Sequence, residues 1–355
     1  MKNLRLEEIS FDNYQAWFEH NYQSLNNRSP FHHPAWFDCV SRGINFNIFI
    51  IGIFEGQELI AALPGFQTNR GPMKLFGSPL PGAMTSYLGP VGLLDFQEKD
   101  KLSELISELN QFVRIQLNVS FLRITMRDAS QHYPMDMTSN WEQERPRSYR
   151  LNLTPGEEAL WKGVKSDCRR NIKRARREQI EIRPLQDAGM FFYILEETLK
   201  RHGTTSWHKE RFFQLLISEL IPRDLLWAWG AHYQGETIAA GLFFHDEHEM
   251  HFLSGASLPN YGNLPTSYLL HWHAIMTATE AGLKIYNSEA SRIPSIDRFK
   301  ESFRPNLERR HTLIWSPNYA RIAKKVYVYS SSTWRSLRSK MEKGRKVNAS
   351  STKLG

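Results

Sequence analysis

The sequence predicts an α/β protein of the α+β type in which two related domains follow one another. The main observation is a repeat, because residues 51–62 (IGIFEGQELIAA) and 228–240 (AWGAHYQGETIAA) each read as two strands joined by a tight turn at Gly56 or Gly235. Each hairpin is followed by a Gly/Pro-rich stretch, an amphipathic helix and a further short apolar strand. A repeat of whole supersecondary units predicts two related domains with a ligand-binding cleft between them.

The composition is that of a globular protein with two hydrophobic cores. The chain has 355 residues, of which 41% are hydrophobic and 12% aromatic, so two domains can form without disulfides or structural metals. Cys39 and Cys168 are too few for a disulfide framework or a cysteine-rich zinc site. The N-terminus lacks the apolar core of a signal peptide, and the most apolar stretch, residues 48–54, is far shorter than a membrane span. We therefore expect a cytoplasmic protein.

Hydrophobic periodicity predicts the elements of the first half in turn. Apolar residues spaced three and four apart predict helices, whereas short apolar runs bounded by Gly, Pro or Asn predict strands. A proline at a first-turn position predicts a further helix start near Pro30. The predicted elements are helices at 11–21 and after Pro30, the hairpin at 47–66, a Gly/Pro-rich loop at 71–92, a helix at 97–117 and a strand at 120–126. Residues 127–150 are polar and irregular, so we place the domain boundary at residue 150.

The second half repeats this order. A helix at 160–179 has an apolar stripe and a basic opposite face. The elements that follow are a strand at 180–183, helices at 190–201 and 209–220, the hairpin at 225–244, a strand at 249–255, a helix at 265–281 and strands at 284–287 and 309–315. Residues 319–346 predict a basic helix and the last nine residues a disordered tail. The expected division is therefore 1–150, 151–318 and an extension at 319–355.

The net charge of +8 is concentrated in two segments. Residues 161–177 carry eight basic residues against Asp167, and residues 321–355 carry ten against Glu342, which leaves the rest of the chain at −8. Localised basic patches indicate a phosphate-bearing partner or an anionic surface. The basic residues of the first segment include a row at four-residue spacing, namely Lys165, Arg169, Lys173 and Arg177. This row fits a phosphate-binding stripe and a solvated helix face equally well.

Five motifs in the second half have an order and spacing that resemble a known superfamily. They are RNIKRA at 170–175, RHGT at 201–204, GETIAAG at 235–241, LSGA at 253–256 and IDRFKESF at 296–303. This layout resembles the GNAT acyltransferase superfamily, and the tandem form resembles its FemABX-type branch, which includes aminoacyl transferases of peptidoglycan bridge formation. The resemblance implies two tandem GNAT-like domains, each a mixed, largely antiparallel sheet flanked by helices. It places the chemistry in the second domain and implies that the degenerate first domain is a scaffold or acceptor wall.

The resemblance also implies no tightly bound cofactor and an acyl donor that acts as a co-substrate. The loop that holds the acyl-CoA pyrophosphate in this superfamily, Arg/Gln-x-x-Gly-x-Gly/Ala, corresponds to residues 259–266, where only Gly262 is retained. Thr266 and Ser267, at the start of the next helix, are further candidate donor contacts. The donor is left open between acyl-CoA, an acyl carrier protein and an aminoacyl-tRNA.

Two residues are candidates for catalysis. Acyl transfer to an amine needs a deprotonated nucleophile and a stabilised oxyanion in a site closed to water. The resemblance places Lys300 where the family contacts the acyl donor or stabilises charge in the transition state, with Arg298 and Phe299 beside it as substrate contacts. Glu289 follows the strand at 284–287, where it fits a general base or an ion-pair partner.

The remaining candidates are substrate contacts. The loop before His208 matches a family segment near the substrate cleft, which indicates Trp207 and His208, and Tyr261 and Tyr268 flank the candidate donor loop. The phosphate-binding interpretation of the basic helix adds Arg169, Lys173 and Arg174. No metal site is predicted, because strand periodicity sends the side chains of His245, His248 and His251 to different faces.

These observations predict an N-acyltransferase that moves an acyl group from a thioester to an amine of a cell-envelope sugar or peptide precursor, either small or lipid-linked. Two alternatives are an aminoacyl-tRNA-dependent peptidyltransferase of FemABX type and a non-catalytic module that binds a polyanion or a membrane surface. The basic extension at 319–355 adds the expectation of peripheral contact with the inner face of the membrane.

Overall fold

The computed structural model describes residues 4–94, 99–127, 141–201, 203–291 and 293–317. The predicted basic helix at 319–346 and the tail lie outside these residues, as does His202. The strands are β1 (Leu4–Ile9), β2 (Asn47–Glu55), β3 (Glu58–Arg70), β4 (Met73–Ser78), β5 (Val91–Gly92), β6 (Phe121–Met126), β7 (Trp141–Glu144), β8 (Arg147–Asn152), β9 (Glu181–Pro184), β10 (Leu226–Tyr233), β11 (Glu236–His245), β12 (Glu249–Ser257), β13 (Ile285–Glu289), β14 (Asn306–Arg309) and β15 (His311–Trp315). The helices are α1 (Phe11–Asn21), α2 (Pro34–Ile44), α3 (Lys99–Phe112), α4 (Glu157–Gly163), α5 (Ser166–Arg177), α6 (Ala188–Arg201), α7 (Glu210–Leu220), α8 (Thr266–Glu280) and α9 (Pro294–Glu301).

The strands form two mixed, largely antiparallel sheets, which confirms the predicted fold class. The first sheet has the order β1-β2-β3-β4-β6-β15-β7, with β5 paired to β3, and the second has the order β14-β8-β13-β12-β11-β10-β9. Among the strands of the described residues, each sheet contains one parallel pair, β4 with β6 in the first and β12 with β13 in the second. The two halves therefore share their sheet architecture as well as their hairpins.

The chain crosses between the sheets twice, and this differs from the division at residue 150. Strand β8 belongs to the second sheet, whereas β15, the last strand, returns to the first sheet and pairs with both β6 and β7. The sequence division assigned β15 to the second domain because it follows that domain along the chain. Strand pairing between distant segments is set by tertiary contacts, which local sequence patterns do not report.

The two repeated hairpins have the same irregularity at the same place. The β2–β3 register shifts so that Ile60 has no opposite partner, and the β10–β11 register shifts in the same way at Ile238. Each of these isoleucines opens the Ile-Ala-Ala strand that defines the repeat. The turns differ, however, because only Gly56 has a positive φ (64°) in the first, whereas Gln234 (50°) and Gly235 (86°) both do in the second. The first fits a type II′ turn and the second a type I′ turn, so the two hairpins share their strands and bulge but not their turn type.

The basic segment is two helices rather than the single helix predicted for residues 160–179. Helix α4 ends at Gly163, Val164 is extended (φ −62°, ψ 149°), and α5 begins at Ser166. Arg169 stabilises the break because its Nη1 donates to the carbonyls of Trp161 (3.2 Å), Lys162 (3.0 Å) and Val164. These carbonyls belong to the last turn of α4 and its C-cap, which lack partners within the helix.

The two halves share one continuous core. Phe244 of the second half stacks on Trp36 (ring centroids 4.6 Å apart) and contacts Phe31 (5.3 Å). Cys39 of α2 donates to the carbonyl of Leu215 on α7, and both residues are buried. Among the described residues, no helix combines the length and apolar character needed to cross a membrane.

Candidate functional site

The parallel strands β12 and β13 separate in the second sheet. They are paired only from Glu249 to His251, opposite Ile285 to Asn287. Beyond His251, β12 continues along β11 to Ser257, while β13 continues along β8 to Glu289. We call the resulting opening the wedge. The β11–β12 register also skips Leu253, which places a β-bulge at the start of the wedge.

Lys300 lies in the wedge. It is 8% exposed, and its Nζ donates to the backbone carbonyl of Glu289 on one strand and lies 5.7 Å from the ring of Phe252 on the other. Burial lowers the pKa of Lys300, although Glu289 and Asp297 act in the opposite direction. A buried ammonium group therefore stands at the point where the two strands part.

Aromatic and neutral groups surround this ammonium. His271 of α8 is 4% exposed, and burial followed by the charge of Lys300 lowers its pKa to about 3. Its Nδ1 is hydrogen-bonded to the hydroxyl of Tyr286 at 2.6 Å, and its ring lies 5.0 Å from that of Phe299. His271 is therefore neutral at physiological pH and does not neutralise Lys300.

A groove of about 440 Å³ opens beside the wedge, and we call it the donor groove. Its walls come from α5, the end of α6, the end of β12, residues 262–265, the first turn of α8, and α9. It brings together six residues that the sequence analysis singled out: Arg174, Gly262, Thr266, Ser267, Tyr268 and Phe299. The Tyr268 and Phe299 rings meet edge to face at 4.8 Å, which joins the groove to the residues around Lys300.

The polar end of the donor groove suits an anion. The guanidinium groups of Arg174 and Arg201 line it together with the hydroxyl-bearing residues Ser257, Thr266 and Ser267. The 15-residue helix α8 begins at Thr266, so its unpaired N–H groups and positive dipole end lie at the same place. The small size of Gly262 also matters, because a Cβ there would lie 3.2 Å from the Pro259 carbonyl and 3.6 Å from the Arg201 guanidinium.

Other predicted contacts lie outside the groove. Tyr261 donates to Glu236 at 2.6 Å, Arg298 and Lys173 are exposed, and Arg169 is occupied at the end of α4. The helix face predicted to bind phosphate is therefore divided between the groove, the α4 end and the outer surface. Its four-residue spacing placed these side chains on one helix face, but only the break at Val164 explains why Arg169 turns back onto α4.

Trp207 and His208 bridge the two halves of the chain. His208 Nε2 is hydrogen-bonded to the carbonyl of Gly82 at 2.8 Å, and a Cβ on Gly82 would lie 2.3 Å from the Trp207 ring. Gly82 lies in the Gly/Pro-rich segment of the first half, and the Trp207 side chain is 58% exposed. This pair forms one edge of the contact between the halves, away from the donor groove.

The sequence analysis missed a buried polar cluster between the halves. Glu249, which is 1% exposed, accepts hydrogen bonds from Tyr87, from Arg127 at 2.6 Å and from Asn287 at 3.2 Å, with His251 at 3.3 Å. Burial raises the pKa of Glu249, but Arg127 and His251 outweigh it and hold the pKa well below its usual range. The three histidines of the β11–β12 hairpin are divided between buried positions (His245, His251) and solvent (His248).

Arg310 is a second residue that the sequence analysis missed. It lies between β14 and β15, is 5% exposed, and pairs with the carboxylate of Glu289. It also donates to Ser148 Oγ (3.0 Å) and to the carbonyl of Ser86 (2.9 Å). The candidate base Glu289 is thus held in an ion pair, while its backbone carbonyl holds Lys300.

The corresponding position in the first half is filled by the chain itself. Strand β4 pairs with β6 only up to Ser78, after which Leu88 donates to the carbonyl of Thr125 at 2.9 Å and forms a bridge with Met126. Strand β5 then pairs with Ala61 and Ala62 of β3. Residues 88–92 therefore occupy the place that the wedge has in the second half.

Comparison with known proteins agrees with this geometry. Residues 162–291 match the family model of an acetyltransferase (GNAT) domain. Similar solved structures include FemX (TM-score 0.65, 9% identity, covering 89% of this chain and 98% of that one) and the C-terminal domain of a putative lysylphosphatidylglycerol synthetase from Agrobacterium fabrum (0.59, 12%, 89% and 96%). A tandem GNAT protein from the clavulanic acid biosynthesis pathway is also similar (0.50, 9%, 88% and 98%). No curated protein matches the sequence.

The resemblance stated from the sequence is confirmed at the level of the fold. The chain has a tandem, FemABX-like GNAT fold, and its second half matches the acetyltransferase domain. The domain match supports an acyltransferase, and it spans both strands of the wedge, Glu289 and the donor groove apart from Ser295, Ile296 and Phe299. Lys300 lies nine residues beyond the end of the match.

Proposed function

We propose that the chain is an N-acyltransferase that takes its acyl group from a thioester and delivers it to an amine of a cell-envelope sugar or peptide precursor. The observation that carries this proposal is the buried ammonium of Lys300 in the wedge, next to a groove whose far end suits the phosphates of a donor. A phosphate-bearing arm lying in the donor groove would bring its thioester toward the wedge.

The reaction is a direct displacement. The amine nitrogen attacks the thioester carbonyl carbon, the C–N bond forms, and the C–S bond breaks. The sulfur leaves as a thiol after taking up the proton that the amine loses, so that no external oxidant or reductant is needed. The positive charge of Lys300 stabilises the negative charge that develops on the carbonyl oxygen or the leaving sulfur.

In this proposal Glu289 positions Lys300 rather than acting as the base. Its carboxylate is already paired with Arg310, and its backbone carbonyl accepts a hydrogen bond from Lys300 Nζ. Since residues 88–92 fill the equivalent position in the first half, one acyl donor site per chain is proposed.

The experiment is a donor screen. The full chain is incubated with acetyl-, octanoyl- and palmitoyl-CoA, with acyl carrier proteins bearing the same groups and with aminoacyl-tRNA, while thermal stability and acyl transfer to amine acceptors are followed. We expect stabilisation and transfer with a thioester, and Arg174→Ala should weaken acyl-CoA binding about tenfold. Arg170→Ala, on the same helix but outside the groove, is the matched control.

The alternatives make different predictions in this screen. Transfer from aminoacyl-tRNA alone would support the peptidyltransferase alternative and contradict a thioester donor. Binding of polyanions or anionic vesicles without any transfer would support the non-catalytic module. Stabilisation by none of the donors would count against the transferase proposal itself.

A further inference from the structure

Helix α5 presents a row of cations to solvent. Its apolar side is buried through Cys168, Ile172 and Ala175, and it packs against α8. This leaves the opposite side exposed, and the exposed basic residues there are Arg170, Lys173, Arg176 and Arg177. Arg170 to Arg177 spans two turns, or about 10 Å along the helix axis. We call these four residues the basic face.

The basic face is not neutralised within the described part of the chain. Some exposed cations of the second half pair with a nearby carboxylate, as in Lys162–Glu158, Arg183–Glu181, Lys200–Glu197 and Arg223–Glu219, but on the basic face four cations without a described ion-pair partner lie within two turns of one helix. None of the four residues of the basic face makes an ion pair with a described residue. Like charges three and four positions apart destabilise a helix by a few tenths of a kcal/mol per pair. A bound anionic partner would remove this repulsion.

The basic face begins where the donor groove ends. Asn171 and Arg174 of α5 line the groove, and Arg170 lies one helical turn before Arg174 on the adjoining surface. The groove supplies its own cations and helix N-terminus for phosphates, so the four outward cations are additional to what a small donor needs. A partner that reaches both surfaces would be larger than the arm in the groove.

The surroundings favour a compact acidic protein over RNA. Arg177 shares a surface depression with Glu178 and Glu181, and Asp167 precedes the basic face on α5. Glu178 is paired with Arg174 and Glu181 with Arg183, so among the described residues of this surface the unpaired positive charge is confined to the two turns of the basic face, whereas a nucleic acid carries a negative charge on every nucleotide along its length. A protein with one acidic helix would match two turns of cations without extending over the carboxylates.

We propose that the basic face docks an acidic carrier protein that delivers the acyl group as a thioester on a phosphate-linked arm, with the arm in the donor groove. This proposal identifies the class of acyl donor for the proposed N-acyltransferase, and its role in catalysis depends on that proposed function. The docking itself is a binding property that can be measured without turnover.

The test uses the full chain and fluorescently labelled holo acyl carrier protein. We expect wild-type binding that weakens as salt is raised, because the contact is electrostatic. Arg170→Glu combined with Arg176→Glu should weaken binding at least tenfold. The matched control is Arg70→Glu combined with Lys284→Glu, which makes the same charge change at exposed positions of other elements and should alter binding less than twofold. Thermal melting verifies that both variants are folded.

Measurements of acyl transfer then distinguish the docking proposal from the proposed N-acyltransferase function. With octanoyl groups, Arg170→Glu/Arg176→Glu should raise KM at least tenfold for the acyl carrier protein and leave KM for octanoyl-CoA within twofold. Failure of the wild type to bind carrier, equal weakening in the control variant, or loss of tRNA binding without loss of carrier binding would each overturn the docking proposal. If the wild type binds carrier but transfers from no thioester, the docking surface stands and the proposed function fails.

Discussion

Arg127 of the first half donates to Glu249 of the second half at 2.6 Å, and this contact joins the two repeated units at a buried position. Glu249 starts β12, the strand that later forms one wall of the wedge, and its neighbour across the parallel pair, β13, leads to Glu289. The same cluster therefore fixes the start of both strands that separate around Lys300.

Removal of Arg127 should destabilise the protein strongly. Arg127→Met leaves the Glu249 carboxylate buried without its cation, which costs about 3–5 kcal/mol for a buried pair. Urea unfolding of Arg127→Met, Glu249→Gln and the double variant measures the coupling. The control is Arg150→Met, whose partner Glu308 lies at 2.9 Å but is 26% exposed, with an expected cost of about 1 kcal/mol or less. Equal costs for the two arginines would contradict a special role for the Arg127–Glu249 pair.

The positive charge of Lys300 should be required for acyl transfer. Replacement by Gln is expected to lower kcat by about 10²–10³ while the donor Kd changes little, because the charge acts on the transition state. Burial lowers the pKa of Lys300, so wild-type activity should fall on the alkaline side at a pH below the ordinary lysine value. Arg stays protonated there, so Lys300→Arg should retain part of the activity and lose this alkaline fall. An alkaline fall that is the same in Lys300→Arg would show that another group titrates.

Lys300 could be identified from the sequence, whereas the buried cluster of Arg127 and Glu249 could not. The IDRFKESF motif is local, and a segment of eight residues was enough to single out Lys300, Phe299 and Arg298. The repeat likewise predicted both hairpins, and the structure places a bulge at Ile60 and Ile238 in each. Local patterns are reliable here because turn residues and hydrophobic periodicity act over short distances.

The contacts that assemble the site join distant segments. Arg127 and Glu249 are 122 positions apart, and Arg310 reaches Ser86 from 224 positions away. A buried ion pair leaves no periodic pattern in a single sequence, since each partner alone looks like an ordinary surface charge. The wedge is not evident from the sequence either, because only the register of β12 against β13 shows where their pairing stops.

Asp246 should make stability depend on pH. It is 7% exposed in the turn before β12, and burial together with the nearby Glu249 raises its pKa to about 7. A carboxyl group with a raised native pKa contributes stability below its unfolded pKa of about 4 and loses that contribution as pH rises through 7. Asp246→Asn keeps the Oδ1 acceptor for the N–H groups of His248 (2.7 Å) and Glu249 (2.8 Å).

We therefore expect Asp246→Asn to equal the wild type in unfolding free energy near pH 4 and to exceed it by about 1–3 kcal/mol at pH 8. Chemical denaturation of both proteins across this range measures the difference. The comparison cancels the titration of other groups, since they are common to both. A difference that is constant with pH would mean that folding does not change the pKa of Asp246.

Arg169 and Arg170 are adjacent basic residues with opposite expected roles. Arg169 is tied to three carbonyls at the end of α4, whereas Arg170 is exposed on α5. Arg169→Ala leaves these carbonyls without a charged donor. The variant should therefore have a free energy of unfolding about 1–3 kcal/mol lower than that of the wild type. Arg170→Ala should change the unfolding free energy by less than about 0.5 kcal/mol, as for ordinary surface positions. Acyl-CoA binding, corrected for folded fraction, should be unchanged in both variants. A specific loss of acyl-CoA binding in Arg169→Ala would restore the phosphate-binding role that its position in the sequence first indicated.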